Sequence, residues 1–312
     1  MPHPIRRLLL GVSAGVLALL ASCAPAAQRP TLPPDAGRRH VVVISVDGLR
    51  PDAIERSGAT TLQRMAAEGA WSWTAQTVVP SRTLPSHTSM WTGVGPDRHR
   101  IDWNTNRTGE RGRVGVETAF GVAREHGVRT AAFFAKPKLR HLMRPGSLDR
   151  ASAPRGVEIF PATRMVDDVE SYLRFHRPGL LFVHLAEPDV MGHAFGWMSP
   201  PYRWGVRRAD AAVGRIAGAA LRHLGPGVVV IVTSDHGGRG REHAAPVPEN
   251  LTIPWIAWGP AVAAGRIQRP IHTVDTAATV LWLLGVPVPA EWQGEPVREI
   301  LPPHQAPSRP TS

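Results

Sequence analysis

Three short stretches of the chain are almost wholly apolar, the first and third rich in β-branched residues: His40–Val46, Leu180–Leu185 and Val228–Thr233. Runs of this length that do not alternate predict strands buried on both faces, as in a parallel sheet. Elsewhere the spacing turns helical. Asp52 is expected to cap a helix through Leu62, Met65 and Ala66 that stops at Gly69. Trp71–Ala75 alternates and reads as a strand. Thr83-Leu84-Pro85 opens a helix, with Pro85 at its first position, that ends at Gly93. Glu117–His126 and Thr163–His176 read as helices, and Val128–Phe134 as a strand. Tyr202–His223 is the longest helical pattern, with Val206, Ala209, Val213, Ile216 and Ala220 on one face.

Near the C-terminus, Ile253–Trp258 reads as a strand, placed at a sheet edge by Pro254, and Val274–Leu284 as the closing helix. Asp97–Gly115 and Lys136–Arg155 are basic and aperiodic, and the first of them reads as a surface loop. No internal repeat is visible. Strands alternating with helices predict an α/β fold, a mostly parallel central sheet with helices on both faces.

The chemistry sits where these strands stop. Asp47-Gly48 follows the first apolar run, Asp189 and His193 follow the second, and Asp235-His236 the third, with His243 a short loop further on. In open α/β sheets ligands bind beyond the carboxyl ends of the strands. Asp189 and His193 stand four apart on a helical turn and share a face. A carboxylate with two imidazoles is a suitable set for a catalytic zinc that keeps a position open. Each residue taken alone also has a plainer role: Asp-Gly as a turn, Asp189 or Asp235 as a cap, His193, His236 and His243 as solvated side chains. His272 competes with His243, but it precedes a helix from an edge-like segment. Three Asp, three His and the waiting hydroxyl of Thr83 are together what a two-metal hydrolase of phosphate esters requires.

Composition adds the setting. The 312 residues are 43% hydrophobic and 20% charged, which is ordinary globular material. The formal net charge is +11, and removal of Arg6 and Arg7 with a leader leaves +9. That balance favours anionic partners. The lone cysteine, Cys23, excludes an internal disulfide and any Cys-based zinc site. Arg6-Arg7, the apolar stretch Leu8–Leu20 and then Leu20-Ala21-Ser22-Cys23 resemble a bacterial lipoprotein signal; the alternative is an ordinary signal cut near Ala24–Ala27. The expected division is a signal peptide over 1–22, a lipid-anchored Pro-rich tether over 23–38, a catalytic domain over 39–300 and a tail over 301–312. The protein is then exported and held at the bacterial envelope through lipidated Cys23. Ala24, in place of a retaining Asp, favours the periplasmic face of the outer membrane in a Gram-negative cell.

Taken in order, Val46-Asp47-Gly48, Thr83-Leu84-Pro85-Ser86-His87, His99–Asn104, Asp189–His193 and Ser234–Gly237 resemble the alkaline phosphatase superfamily, and within it the type I phosphodiesterase/nucleotide pyrophosphatase branch. The resemblance spans about residues 40–298. It implies that Asp189, His193 and His243 hold one Zn2+, and that Asp47, Asp235 and His236 hold a second together with the Thr83 oxygen; other divalent metals also suit such ligands. It implies Thr83 as nucleophile, a covalent phosphothreonine, and Asn104 as donor to a phosphoryl oxygen. Ser81, Ser86, Thr88 and Ser89 are the competing hydroxyls. Ser86 stands where that branch commonly has Asn, and Arg100 where it has Gly. The short loop from His236 to His243 replaces a long stretch in the nucleotide pyrophosphatases, so part of the wall that grips a nucleoside is expected to be missing.

The expected activity is therefore phosphodiesterase on an anionic phosphate-ester substrate, with no stable nucleic-acid complex. Phosphomonoesterase, phosphonate hydrolase and phosphoryl transferase are alternatives on the same residues. Sulfatase is disfavoured, because that relative uses a modified Cys or Ser in a C/S-x-P-x-R setting and the only Cys here, Cys23, is in the leader. An anion- or metal-binding surface lipoprotein is the non-enzymatic alternative. Arg50, Arg82, Arg98, Arg100, Arg107, Arg239 and Arg241 flank the motif loops, and one or two are expected near substrate. Trp71, Trp73, Trp91 and Trp103 can stack on a base, with core packing the plainer role.

Overall fold

In the computed structural model, Met1 and residues 39–302 are described; the signal, the tether, Cys23 and most of the tail lie outside the described residues. The described strands form one eight-stranded sheet in the order β4-β3-β5-β1-β6-β7-β2-β8. These are β1 His40–Val46, β2 Ala70–Gln76, β3 Thr130–Phe133, β4 Arg150–Ser152, β5 Leu180–Leu185, β6 Val228–Thr233, β7 Thr252–Trp258 and β8 Gly265–Arg266. β1 lies at the centre and runs parallel to both β5 and β6. β3 is parallel to β5, so four neighbouring strands, β3, β5, β1 and β6, point their carboxyl ends the same way. β7 is antiparallel to β6 and to β2. The sheet is mixed and mostly parallel.

Side chains alternate across the pleat, and the core divides accordingly. Val41 and Val43 of β1 pack with Trp91, Phe120, Phe182 and Leu281 on one face, under the helices Thr83–Thr92, Ala119–Glu125 and Asp275–Leu283. Val42, Ile44 and Val46 pack with Leu62, Val169, Val213 and Ile216 on the other, under the helices Pro51–Arg56, Thr60–Glu68, Ala162–Phe175 and Pro200–Leu224. Trp91 is fully buried and stacks on Phe120 with ring centroids 4.1 Å apart. Trp71 and Trp73 lie partly exposed on the opposite face.

Several local expectations need correction. The helix expected from Asp52 to Gly69 is two helices, broken at Gly58, whose φ of 66° is left-handed. Pro85 is the third residue of its helix rather than the first, because Thr83 already begins it. Asp97–Gly115 holds short helical turns, Pro96–His99 and Thr108–Arg111, and the aperiodic region after Lys136 holds a 3-10 turn, Pro137–Leu142, and β4. The longest helix starts before Tyr202: Pro200 and Pro201 occupy its first positions and the Ser199 side chain accepts from Tyr202 N–H.

Pro254 does not mark an edge. β7 lies inside the sheet, and the pairing with β2 shifts between Ser72 and Ala75, across from Pro254, where a missing N–H costs no ladder bond. Among the described residues no helix is long and apolar enough to cross a membrane.

Candidate active site

The order of the strands fixes the order of the chemistry. Lys136 follows β3, Asp189 follows β5, Asp47 ends β1, and Asp235 and His236 follow β6. Four neighbouring carboxyl ends thus deliver an ammonium, two carboxylates and an Asp-His pair to one buried place. The backbone draws them closer. Gly48 turns with a φ of 73°, and a Cβ there would lie 3.0 Å from the Asp189 Cα. Asp189 N–H donates to the Asp47 carbonyl at 3.1 Å, and Gly48 N–H to Asp235 Oδ1 at 3.2 Å. Trp197 Nε1 and the Tyr202 hydroxyl both donate to the Gly48 carbonyl, at 2.9 and 3.0 Å.

The imidazoles are presented alike. His193 Nδ1 donates to the Arg241 carbonyl at 2.9 Å, His236 Nδ1 to that of Gly237 at 2.8 Å, and His243 Nδ1 to that of Ser81 at 2.6 Å. Each carbonyl fixes the tautomer that leaves Nε2 as a lone-pair donor, the arrangement of histidines that ligate metal. Those Nε2 atoms meet the carboxylates. His193 Nε2 is 3.4 Å and His243 Nε2 3.8 Å from Asp189 Oδ1. His236 Nε2 lies 3.4 Å from Asp47 Oδ1 and 3.3 Å from Asp235 Oδ2. The His236 and His243 rings stack 3.7 Å apart.

Two groups of ligand atoms lie within 4.8 Å of one another: Asp189, His193 and His243 in one, and Asp47, Asp189 and His236 in the other. Asp189 belongs to both, while the resemblance assigns it to one alone. Asp235 stands beside the second group and reaches His236 through Oδ2. His272 is exposed and belongs to neither.

The fit to a divalent cation rests on orphaned atoms. Asp47 Oδ1, Asp189 Oδ1, Asp235 Oδ2, His236 Nε2 and Thr83 Oγ1 are all buried without a hydrogen-bond partner. Buried polar atoms are rarely left so, because each loses its water for nothing. Here the carboxylate and imidazole atoms among them converge and are of the types that hold zinc. The charges agree. Burial alone would raise the Asp47 and Asp189 carboxyls, yet the Lys136 ammonium holds both well below the usual carboxylate range. Asp235 has no such partner, and burial and then the Asp47 charge push it well up. Burial and the neighbouring His243 hold His236 down at about 3, so its imidazole is neutral.

Thr83 begins its helix and is buried. His87 Nδ1 donates to the Thr83 carbonyl at 2.8 Å and lies 3.4 Å from Asp235 Oδ2. Asn104 Oδ1 accepts from Leu84 N–H at 3.0 Å, which leaves the Asn104 amide nitrogen free to donate beside Thr83. The neighbouring hydroxyls are committed: Ser81 to the His243 carbonyl, Ser86 to the Asp235 carbonyl, Thr88 to the Leu84 carbonyl and Ser89 to His99. Ser86, where the resemblance expects Asn, therefore anchors a ligand-bearing strand end. Arg100, where it expects Gly, adopts a φ of 61°, the left-handed region that glycine enters freely. Arg50 pairs with Asp52 and donates to the Gly238 carbonyl, so it braces the loops.

Three further buried residues stand at the site, none of them among the site residues expected from the sequence. Lys136 Nζ is 2.7 Å from Asp47 Oδ2 and also donates to Asp189 Oδ2. His184 Nε2 donates to Asp47 Oδ2 at 2.9 Å. His87 accepts from Ser45 at 2.8 Å.

Fold and site together define a hydrolase-type, metal-binding α/β architecture of the alkaline phosphatase superfamily. Within that class the chain belongs to the type I phosphodiesterase / nucleotide pyrophosphatase family, whose profile matches residues 41–248. Among curated relatives it is 27% identical over 239 residues to an uncharacterized pyrophosphatase/phosphodiesterase of Schizosaccharomyces pombe, covering 69% of this chain and 47% of that protein. It is 24% identical to human ectonucleotide pyrophosphatase/phosphodiesterase family member 7, over 71% of this chain and 52% of that one. It is 23% identical to GPI ethanolamine phosphate transferase 1 of Gibberella zeae, over 86% of this chain and 33% of that one. The chain thus spans about half or less of these relatives. Among solved structures, murine ectonucleotide pyrophosphatase/phosphodiesterase 5, an inactive variant in complex with AMP, superimposes with a TM-score of 0.71 at 15% identity. That match covers 85% of this chain and all of the other. A 2-O glycosaminoglycan sulfatase superimposes at 0.63 with 17% identity, over 83% and 73%.

Proposed function

We propose that the protein is a two-zinc phosphodiesterase that works through a covalent phosphothreonine at Thr83. The observation that carries this reading is the state of the hydroxyls. Ser81, Ser86, Thr88 and Ser89 each spend theirs on a partner, whereas Thr83 Oγ1 is buried and uncommitted, in a residue whose carbonyl shares His87 with the Asp235 carboxylate. Asp189, His193 and His243 would hold one ion, and Asp47, Asp235 and His236 the other, with Asp189 close enough to serve both. Two divalent ions there would make the Thr83 alkoxide available at neutral pH and steady the departing oxygen. Thr83 Oγ1 forms the new bond to phosphorus as the ester bond to the alcohol breaks. Asn104 donates its amide to a phosphoryl oxygen. Water then displaces Thr83, and two in-line steps retain configuration at phosphorus.

The test is a paired assay with zinc supplied. Turnover of bis-p-nitrophenyl phosphate should exceed that of p-nitrophenyl phosphate. The reverse ratio makes it a monoesterase, and activity on p-nitrophenyl sulfate alone removes the phosphoesterase reading. Phosphoryl transfer is the second reading, favoured by similarity to the ethanolamine phosphate transferase over 86% of the chain. It predicts that an added amino alcohol gains phosphate at the expense of hydrolysis.

The same reading puts the enzyme outside the cytoplasm, lipid-anchored through Cys23. Cys23→Ser should move activity from the membrane pellet to the soluble fraction, and activity that stays in the pellet would remove the anchor.

A further inference from the structure

We propose that Lys136 is a positioning residue for the metal ligands: its ammonium takes Oδ2 of Asp47 and Oδ2 of Asp189 together, so that each carboxylate offers only Oδ1 to an ion. This rests on the two-metal reading above and says how these ligands are made to bind.

The division of oxygens carries the inference. Asp47 Oδ2 is doubly occupied, by Lys136 at 2.7 Å and by His184 at 2.9 Å. Asp189 Oδ2 accepts from Lys136 as well. The other oxygen of each carboxylate, Asp47 Oδ1 and Asp189 Oδ1, is buried with no hydrogen-bond partner. Those are the oxygens that face the imidazoles: His236 at 3.4 Å from Asp47 Oδ1, His193 at 3.4 Å and His243 at 3.8 Å from Asp189 Oδ1. One cation therefore sorts two carboxylates into a held oxygen and a presented oxygen each.

The sorting has a chemical consequence. A carboxylate with both oxygens free can grip one ion with both and raise its coordination number. A catalytic zinc works with few protein ligands and a position left for substrate. Lys136 keeps that position open by occupying the oxygens that would fill it. It also sets a positive charge between two buried carboxylates that would otherwise repel one another. An ordinary lysine would reach solvent with its ammonium. Lys136 is only 4% exposed, whereas Lys138, two residues on, is half-buried and bonded to neither carboxylate.

Cobalt(II) alone is the probe, because the intensity of its visible d–d bands drops severalfold as coordination rises from four. Full-length wild type, Lys136→Met, Lys136→Gln and the control Lys138→Met are titrated with cobalt(II), and zinc affinity is measured against a chromophoric chelator. Lys136→Met should lose most of the band intensity and weaken zinc binding by about tenfold to a hundredfold, the usual effect of removing a residue that orients a ligand. Lys136→Gln, which keeps an N–H donor, should fall between, and Lys138→Met should match wild type. Should Lys136→Met not fold, Lys136→Gln decides by the same readouts. Wild-type spectra and affinity in the Lys136 variants, or tighter zinc binding, would overturn the proposal; tighter binding would mean that the ammonium competes with the ion. Failure of wild type itself to take up cobalt would sink the two-metal reading instead.

Discussion

Thr83→Ala should lower kcat by at least about a thousandfold, the scale seen when a nucleophile is removed from a site whose other parts remain. That is about 4 kcal/mol of transition-state stabilisation, at 1.36 kcal/mol per decade. Metal content should be unchanged, because Asp47, Asp189, Asp235 and the three imidazoles are held by bonds that Thr83 Oγ1 does not make. The fold should survive as well, since that hydroxyl satisfies no buried partner. Turnover and zinc per chain, measured on one preparation, test both halves. Near-normal turnover would pass the nucleophile's role to another group, and Ser81, Ser86, Thr88 and Ser89 would each first have to give up a partner.

Asp189→Asn should be as severe by another route. Asp189 is the one residue common to both groups of ligand atoms, so its charge is lost to each ion at once. Zinc per chain is expected to fall from two to below one, with turnover down by a thousandfold or more. By contrast His193→Ala, which touches one group, should leave one ion tightly held. Asn is the informative substitution because its amide oxygen can still accept from Lys136, which spares the protein a wholly unpaired buried charge. Elemental analysis after dialysis gives the answer. Two ions per chain in Asp189→Asn would mean that the groups do not share a ligand.

What could be read beforehand follows from what each residue had to do alone. Parallel strands need unbroken apolar runs, so β1, β5 and β6 stood out, and an Asp or His at the end of such a run has few apolar reasons to be there. Asp47, Asp189, His193, Asp235, His236 and His243 were legible for that reason, with Thr83 as a waiting hydroxyl, and the family resemblance added the division of ligands between two ions, the role of Thr83 as nucleophile, and Asn104. Lys136 was not legible. A lysine in a basic stretch reads as a solvated side chain, and only the adjacency of β3 and β5 brings it under two carboxylates. His184 was hidden by its strand, because a run buried on both faces does not say which residues point toward the site. Pro254 misled for a related reason: the bulge that tolerates it lies in β2, far away in sequence.

The two bonds that Ser81 and His243 exchange, hydroxyl to carbonyl and imidazole to carbonyl, stitch the approach to the nucleophile to the last ligand. His243 is thereby located by a neighbour in space and not by its distance along the chain from His236. The intervening Gly-Arg hairpin is held as well, by the Gly240 carbonyl on Trp197 N–H and the Arg241 carbonyl on His193 Nδ1. A new specificity lobe grown at that point must therefore keep both carbonyls in place for the reaction centre to stay where it was.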